Sequence, residues 1–289
     1  MEELLFFDTY KMETNKAQLR YKKRNSLLYK SKVEYAQWCI NHIENCAHGC
    51  KFPCYAMMMA KRFGKIKSYE DWLCPILVQN SLEILDREIP KYKSEIDFVH
   101  LCFMTDPFMV GYPEIKEMTL KILEKLNQNG IKATVLTKGC LPIELTDKTK
   151  YGINNDYGIT LVSLDEDFKK EFEPNAAKYA ERIEALKKIH DSGLKTWVSM
   201  EPFPTPNLDK NQNIDNILDS IKFVDKIIFG KLNYNTKSSQ FEDGASFYEQ
   251  CAKKVIAFCK KNNIEYHIKF GTQETYNKGT ETVFLNVDS

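Results

Sequence analysis

This chain has almost no excess charge: 41 basic side chains stand against 40 acidic ones, leaving +1. No global field therefore draws it toward nucleic acid or an anionic membrane. It has no apolar run approaching the ~20 residues of a membrane-spanning helix. The opening stretch, Met1 to Tyr10, carries acids where a secretory leader carries bases. The expectation is a soluble, cytoplasmic chain. Low-complexity tracts and repeats at solenoid periods are missing as well, which argues against a stacked array.

What is present begins with size. At 289 residues and 43% apolar content, the chain can bury a full core as one large α/β domain. Nine cysteines without a leader argue against a disulfide framework. Cys39, Cys74, Cys251 and Cys259 lie among apolar or helical neighbours and read as ordinary thiols. Bases concentrate near the start at Lys11, Lys16, Arg20, Lys22, Lys23, Arg24, Lys30 and Lys32. They read as a solvated extension, with a phosphate contact as the alternative.

Cys46, Cys50 and Cys54 stand apart. They fall at four-residue intervals in Cys46-Ala47-His48-Gly49-Cys50-Lys51-Phe52-Pro53-Cys54, with polar, glycine and proline neighbours. Gly49 and Pro53 disfavour a regular helix, so the spacing predicts a loop folded around something. Three thiolates suit a cubane iron-sulfur cluster with one iron left open. Zinc held by the same cysteines and His48 is the competing metal reading.

From Trp38 onward, strand-like runs alternate with amphipathic ones. Strands are expected at Trp38–Ile43, Phe98–Met104, Ala133–Thr137, Gly158–Ser163, Thr196–Met200, Lys226–Phe229 and Tyr266–Lys269. Helices are expected at Ala56–Phe63, Val78–Arg87, Pro113–Asn127, Ala177–His190, Asp215–Ile221 and Phe247–Asn262, with Gly130 and Gly193 closing two of them. Repeated βα units predict a parallel sheet, either open or closed into a full or partial barrel. Chemistry in such folds gathers at the C-terminal ends of the strands. Those ends are polar here: the cysteine loop, Thr105-Asp106-Pro107-Phe108, Thr137-Lys138-Gly139-Cys140, Ser163-Leu164-Asp165-Glu166, Ser199-Met200-Glu201-Pro202 and Gly230-Lys231-Leu232-Asn233. Six polar ends in succession point to a ligand-filled mouth.

The ordered set resembles the radical S-adenosylmethionine (SAM) enzymes, specifically the spore photoproduct lyase-like branch. The loop Cys46 to Ala56, Thr105-Asp106-Pro107, Leu136-Thr137-Lys138, Ser163 to Glu166, Glu173-Pro174-Asn175-Ala176 with Arg182, Ser199 to Pro202, and Pro204 with Pro206 match that branch in order. One departure stands out: the branch spaces its loop Cys-x3-Cys-x2-Cys, and Pro53 reads as one inserted residue. The resemblance implies an α/β partial (β/α)6 barrel over 36–235, an N-terminal extension over 1–35, and a helix-strand extension over 236–289. It implies a 4Fe-4S cluster on Cys46, Cys50 and Cys54, with SAM on the open iron. SAM contacts would come from Phe52 (an adenine face), Thr105, Lys138 (the methionine carboxylate), Ser163, Arg182, Ser199 and the backbone at Phe229 and Gly230. A helix-face salt bridge suits Arg182 equally. A flavodoxin- or ferredoxin-type electron donor is implied too.

For the substrate, Asp106 and Glu201 are acceptors near Phe108 and Phe203, with Asn233 at the sixth strand end. These types suit a flat heterocycle. Cys102 and Cys140 are candidate hydrogen-atom donors, with buried thiols as the alternative. The expected activity is cleavage or rearrangement of a C–C or C–N bond in a small nucleobase-like substrate, as in queuine lyase of the same branch. Repair of DNA photoproducts is the runner-up, and near-zero charge counts against it. A non-catalytic zinc protein and a cluster-free barrel hydrolase using His100 or His267 are the readings from other classes.

Overall fold

The computed structural model describes residues 17–273 apart from 32 and 35, so Met1–Tyr10, Lys11, Lys16 and Lys32 lie outside the described residues. The strands are β1 (Arg20–Lys22), β2 (Leu28–Lys30), β3 (Trp38–Ile40), β4 (Ile43–Glu44), β5 (Ile76–Val78), β6 (Phe98–Leu101), β7 (Lys132–Thr137), β8 (Asp156–Thr160), β9 (Lys195–Phe203), β10 (Lys226–Lys231) and β11 (Glu265–Ile268). The helices are α1 (Tyr55–Arg62), α2 (Tyr69–Trp72), α3 (Ser81–Tyr92), α4 (Pro113–Gln128), α5 (Lys148–Tyr151), α6 (Glu166–Phe172), α7 (Tyr179–Asp191), α8 (Ile214–Ser220), α9 (Thr236–Ser239) and α10 (Gly244–Asn262).

Eight strands form one sheet in the order β11-β10-β9-β8-β7-β6-β3-β2, parallel throughout except for the β2–β3 pair. A βαβ crossover needs a helix packed back onto the sheet, which is why α4, α7 and α10 bury apolar faces against it. Local chemistry sets the helix ends. Pro113 occupies the first turn of α4, and Asp147, Asp165, Asn213 and Asn235 cap α5, α6, α8 and α9 by accepting backbone N–H bonds. Gly130 and Gly193 follow α4 and α7 with positive φ.

The sheet is an incomplete barrel. β2 and β11 are opposite edges in the ladder, yet Glu34, just past β2, lies 2.9 Å through Oε2 from Nε2 of His267 on β11. Only a strongly curled sheet brings those edges within hydrogen-bond reach. Of the alternatives open from the sequence, the partial barrel is the one adopted.

Two expected elements differ. The single strand over Trp38–Ile43 is split: His42 turns its Nε2 to Thr119 Oγ1 (2.8 Å), its carbonyl accepts from Val78 N (2.9 Å), and β4 joins a small β1-β5-β4 sheet. Helix α3 starts at Ser81, because Ile76, Leu77 and Val78 pair with β1 and β4 as β5. β-branched residues favour the pleated partner surface over helix.

Candidate active site

The cysteine loop leaves β4 at the C-terminal end of the barrel and is clamped from several sides. Cys46 N donates to Trp72 O (3.1 Å), Lys51 N to Phe172 O (2.8 Å), Tyr69 Oη to Gly49 O (2.6 Å) and Asn175 Nδ2 to Ala47 O (2.9 Å). Cys54 is the residue before α1, and its carbonyl accepts from Met58 N (2.9 Å). Pro53 thus carries the chain from a buried Phe52 to a helix start. Gly49 has φ of 62°, and a Cβ there would fall 2.6 Å from Tyr69 Oη. A Gly49→Ala variant should therefore lose the clamp and incur ~1–2 kcal/mol of left-handed strain. Its thermal midpoint and its iron content after reconstitution should both fall, and wild-type values for both would refute this role.

The three thiols lie close enough to feel one another's charge. Burial, then Asp106, Cys50 and Cys54, pushes Cys46 up; burial pushes Cys50 up to about 12 against the pull of Lys138. A metal cation bound among such thiols favours their thiolate forms. Among the described residues, however, no three His, Cys, Asp or Glu side chains converge as tightly as a single metal ion requires. His48 is turned away: Nε2 accepts from Val110 N (3.1 Å), so Nδ1 carries the proton and faces Asp106 Oδ2 at 3.4 Å. The four-ligand zinc arrangement is not formed.

Lys138 sits over this loop. Its Nζ lies 3.6 Å from Cys50 Sγ, 5.2 Å from the Phe52 ring centre and 2.6 Å from Glu173 Oε1. Glu173 Oε2 in turn accepts from Arg182 Nη2 at 2.6 Å, and Arg182 also donates to the carbonyls of Ala177 and Thr160. Glu173 and Arg182 are fully buried. Burial alone would raise the Glu173 carboxyl, but Lys138 and Arg182 more than reverse that and hold it down at about 2. Arg182 is consequently a buried brace, the salt-bridge alternative, with no exposed surface to offer SAM.

Several other sequence candidates are reassigned. Asp106 is enclosed: Oδ1 accepts from Thr137 Oγ1 (2.6 Å) and Phe108 N (2.9 Å), and Oδ2 accepts from Lys138 N (2.7 Å) and faces His48. It ties the ends of β6 and β7 to the cysteine loop and offers no acceptor to a substrate. Ser163 Oγ donates to Asp209 Oδ2 (2.6 Å) and accepts from Asp165 N (2.9 Å), so it staples a loop. Phe52 is 3% exposed and stacked on Phe172, giving no free face to adenine. Phe108 is buried, and Phe203 packs on Phe229 within the core. The Phe229 carbonyl already accepts from Lys269 N (2.9 Å), which leaves Gly230 as the less committed backbone. Cys102 is buried against His42 (Sγ to Nδ1, 3.5 Å), whereas Cys140 lies exposed near charged groups of α7.

The candidates that remain at the mouth are Thr105, Ser199, Glu201, Gly230 and Asn233. The β9–β10 ladder breaks between Phe229 and Lys231, freeing Gly230 from regular pairing. A Cβ on Gly230 would come within 3.0 Å of Glu201 Cδ and 3.1 Å of Lys269 Cδ. Glu201 Oε1 accepts from Lys269 Nζ at 2.7 Å, both side chains about one-fifth exposed. Lys269, Glu173 and Asp209 carried no signal of their own in the sequence, although Glu173 lies in a matched motif.

The opposite end of the barrel holds a separate cavity of about 530 Å³, lined by Lys132, Asp156, Trp197, Lys226, Glu265 and His267 among others. His100 also lines it, bonded through Nδ1 to Thr134 Oγ1 (2.6 Å) and pushed by burial down to about 3. Both hydrolase histidines thus line this cavity, and neither joins the cysteine loop.

Residues 40–219, more than half of the chain, match the Radical SAM superfamily. An uncharacterized protein of Methanocaldococcus jannaschii is 25% identical over 172 residues, covering 60% of this chain and 62% of that protein. Uncharacterized protein ORF301 of Acidianus two-tailed virus is 26% identical over 203 residues, covering 65% and 66%. The chain therefore spans slightly under two thirds of the length of these curated relatives. Among solved structures, spore photoproduct lyase complexed with dinucleoside spore photoproduct superposes with a TM-score of 0.65 at 14% identity, over 86% of this chain and 81% of that one. At such identity the likeness concerns the fold.

Proposed function

Because this chain belongs to the radical SAM superfamily, we propose that it is a lyase-type radical SAM enzyme acting on a small, nucleobase-like molecule. Its cofactors are a 4Fe-4S cluster and SAM. Together they supply hydrogen-atom abstraction from an unactivated C–H bond. In this reading Cys46, Cys50 and Cys54 hold the cluster. An ammonium has three N–H donors. Lys138 directs one to Glu173 and one to Cys50, leaving the third for the methionine carboxylate of SAM. The hydroxyls of Ser199 and Thr105 and the freed backbone at Gly230 are the further SAM contacts we propose.

The observation that carries the substrate assignment is the Glu201–Lys269 pair over Gly230. An acceptor and a cationic donor side by side at the barrel mouth suit a heterocycle presenting a ring N–H beside a carbonyl, as modified guanines of the queuine type do. Asn233 adds an amide at the rim. Stacking on Phe108 and Phe203 is no longer part of this reading, since both are buried in the core. Of the described N-terminal bases, Lys22 pairs with Glu44, Lys30 with Glu95, and Arg24 donates to Asn41 O, which counts against a duplex-DNA contact by these three.

Anaerobic reconstitution followed by a panel of free purines and 7-deazapurines tests the reading through release of 5′-deoxyadenosine. A planar base should stimulate release almost independently of salt between about 50 and 200 mM. Glu201→Gln should weaken that stimulation by ~1.5–3 kcal/mol, the value of a hydrogen bond to a charged group, while SAM affinity holds. Steep salt dependence with repair of thymine photoproducts in DNA would replace this reading with the DNA lyase.

A further inference from the structure

The stretch leaving the third cysteine has a composition unlike the rest of the chain. Residues 51–67 contain Lys51, Lys61, Arg62, Lys65 and Lys67 and no acid, in a chain whose net charge is only +1. All five are exposed, and none forms an ion pair among the described residues. Acids resume only at Glu70 and Asp71, and the Asp71 carboxylate is occupied by the N–H groups of Lys67 and Ser68.

Within this basic rim lie three large exposed apolar side chains: Tyr55 at 59%, Met58 at 38% and Phe63 at 66%. Tyr55 and Met58 stand one turn apart on α1, and Phe63 ends it. The opposite face of α1 is anchored, with Ala56 and Ala60 packed on Ile66 and Trp72. The helix spans only ~12 Å, and it begins directly after Cys54. An apolar centre ringed by unpaired charge of one sign is the make-up of a small, transient protein interface.

We propose that this α1 face docks an acidic one-electron carrier protein and passes its electron to the cluster beside Cys54. The proposal rests on the radical SAM reading and names its partner surface. In the step, one electron leaves the reduced carrier and the oxidised cluster gains it, changing from a net 2+ core to 1+. No proton or bond change is required. Opposite charge steers the encounter, and the apolar centre fixes the docked pose.

The test compares two reductants on the anaerobically reconstituted full chain, followed by stopped-flow bleaching of the cluster absorbance. Reduced flavodoxin, an acidic carrier, is one; dithionite, which needs no docking, is the other. For the wild type, the flavodoxin rate should fall steeply with added salt. The triple variant Lys61→Glu, Arg62→Glu, Lys65→Glu should be slower by about tenfold or more at low salt, with an unchanged dithionite rate. Phe63→Ser should raise the flavodoxin concentration needed for half-maximal rate and leave the dithionite rate alone.

A triple variant reduced by flavodoxin at the wild-type rate overturns the docking site. So does a variant that keeps that rate but loses salt-sensitive self-association, duplex-DNA binding or binding to anionic vesicles, since the face then serves another occupant. A wild-type chain that assembles no cluster, or one that dithionite cannot bleach, overturns the radical SAM reading and this proposal with it.

Discussion

Replacing Glu173 with alanine is expected to lower the unfolding free energy by about 3–5 kcal/mol, the cost of removing one partner from a buried ion network. Glu173 and Arg182 are fully buried, and Lys138 is largely so. Without the carboxylate, an ammonium and a guanidinium remain close together with no counter-charge. Urea unfolding of the cluster-free, reduced chain measures this directly, separate from any effect on cofactor loading. Adding Lys138→Met to the alanine variant should recover part of the loss, because one of the two orphaned cations is then gone. A change below about 1 kcal/mol would mean the network contributes as little as an exposed pair. The pH dependence has a definite sign. Lys138 and Arg182 overcome burial and hold the folded carboxyl near 2, below its ordinary 4.5. The stabilisation is therefore complete above about 4.5 and fades as pH falls toward 2.

The second large effect concerns the cluster. Cys54→Ala should abolish both the full 4Fe-4S complement and formation of 5′-deoxyadenosine, because three thiolates are the minimum that leaves a single iron open. No nearby cysteine substitutes: Cys74 bonds the Glu70 carbonyl (3.3 Å), and Cys102 is directed at His42. Iron and sulfide analysis with electron paramagnetic resonance of the reduced sample measures the first loss, and product chromatography the second. Cys46→Ala and Cys50→Ala should behave alike. A Cys54→Ala variant with four irons would show that Pro53 has displaced that cysteine from the ligand set.

Features legible in the sequence share one property: each depends on residues near one another in the chain. The cysteine loop, with glycine and proline between its thiols, announced a non-helical segment, and clamps along 46–54 hold one in place. Alternating βα patterns announced a parallel sheet, and the seven expected strands contribute to the eight-stranded one. Residue type at a strand end was a weaker guide to what each side chain does. Asp106 reads as a free acceptor until the fold surrounds it with Thr137, Phe108, Lys138 and His48. Phe52, Phe108 and Phe203 read as stacking faces until packing closes over them.

By itself the sequence determined the order of elements, because periodic burial encodes it, and its ordered motifs carried the resemblance that points to the superfamily. Tertiary structure decided how far the sheet curls, since only a contact such as Glu34 with His267 reports on edges at opposite ends of the ladder. It also decided which polar groups neutralise one another and which remain for ligands. Lys138, Glu173 and Arg182 come from separate segments, as do Glu201 and Lys269. In a low-dielectric interior a charge is defined by its nearest partner, and that partner is chosen by the fold.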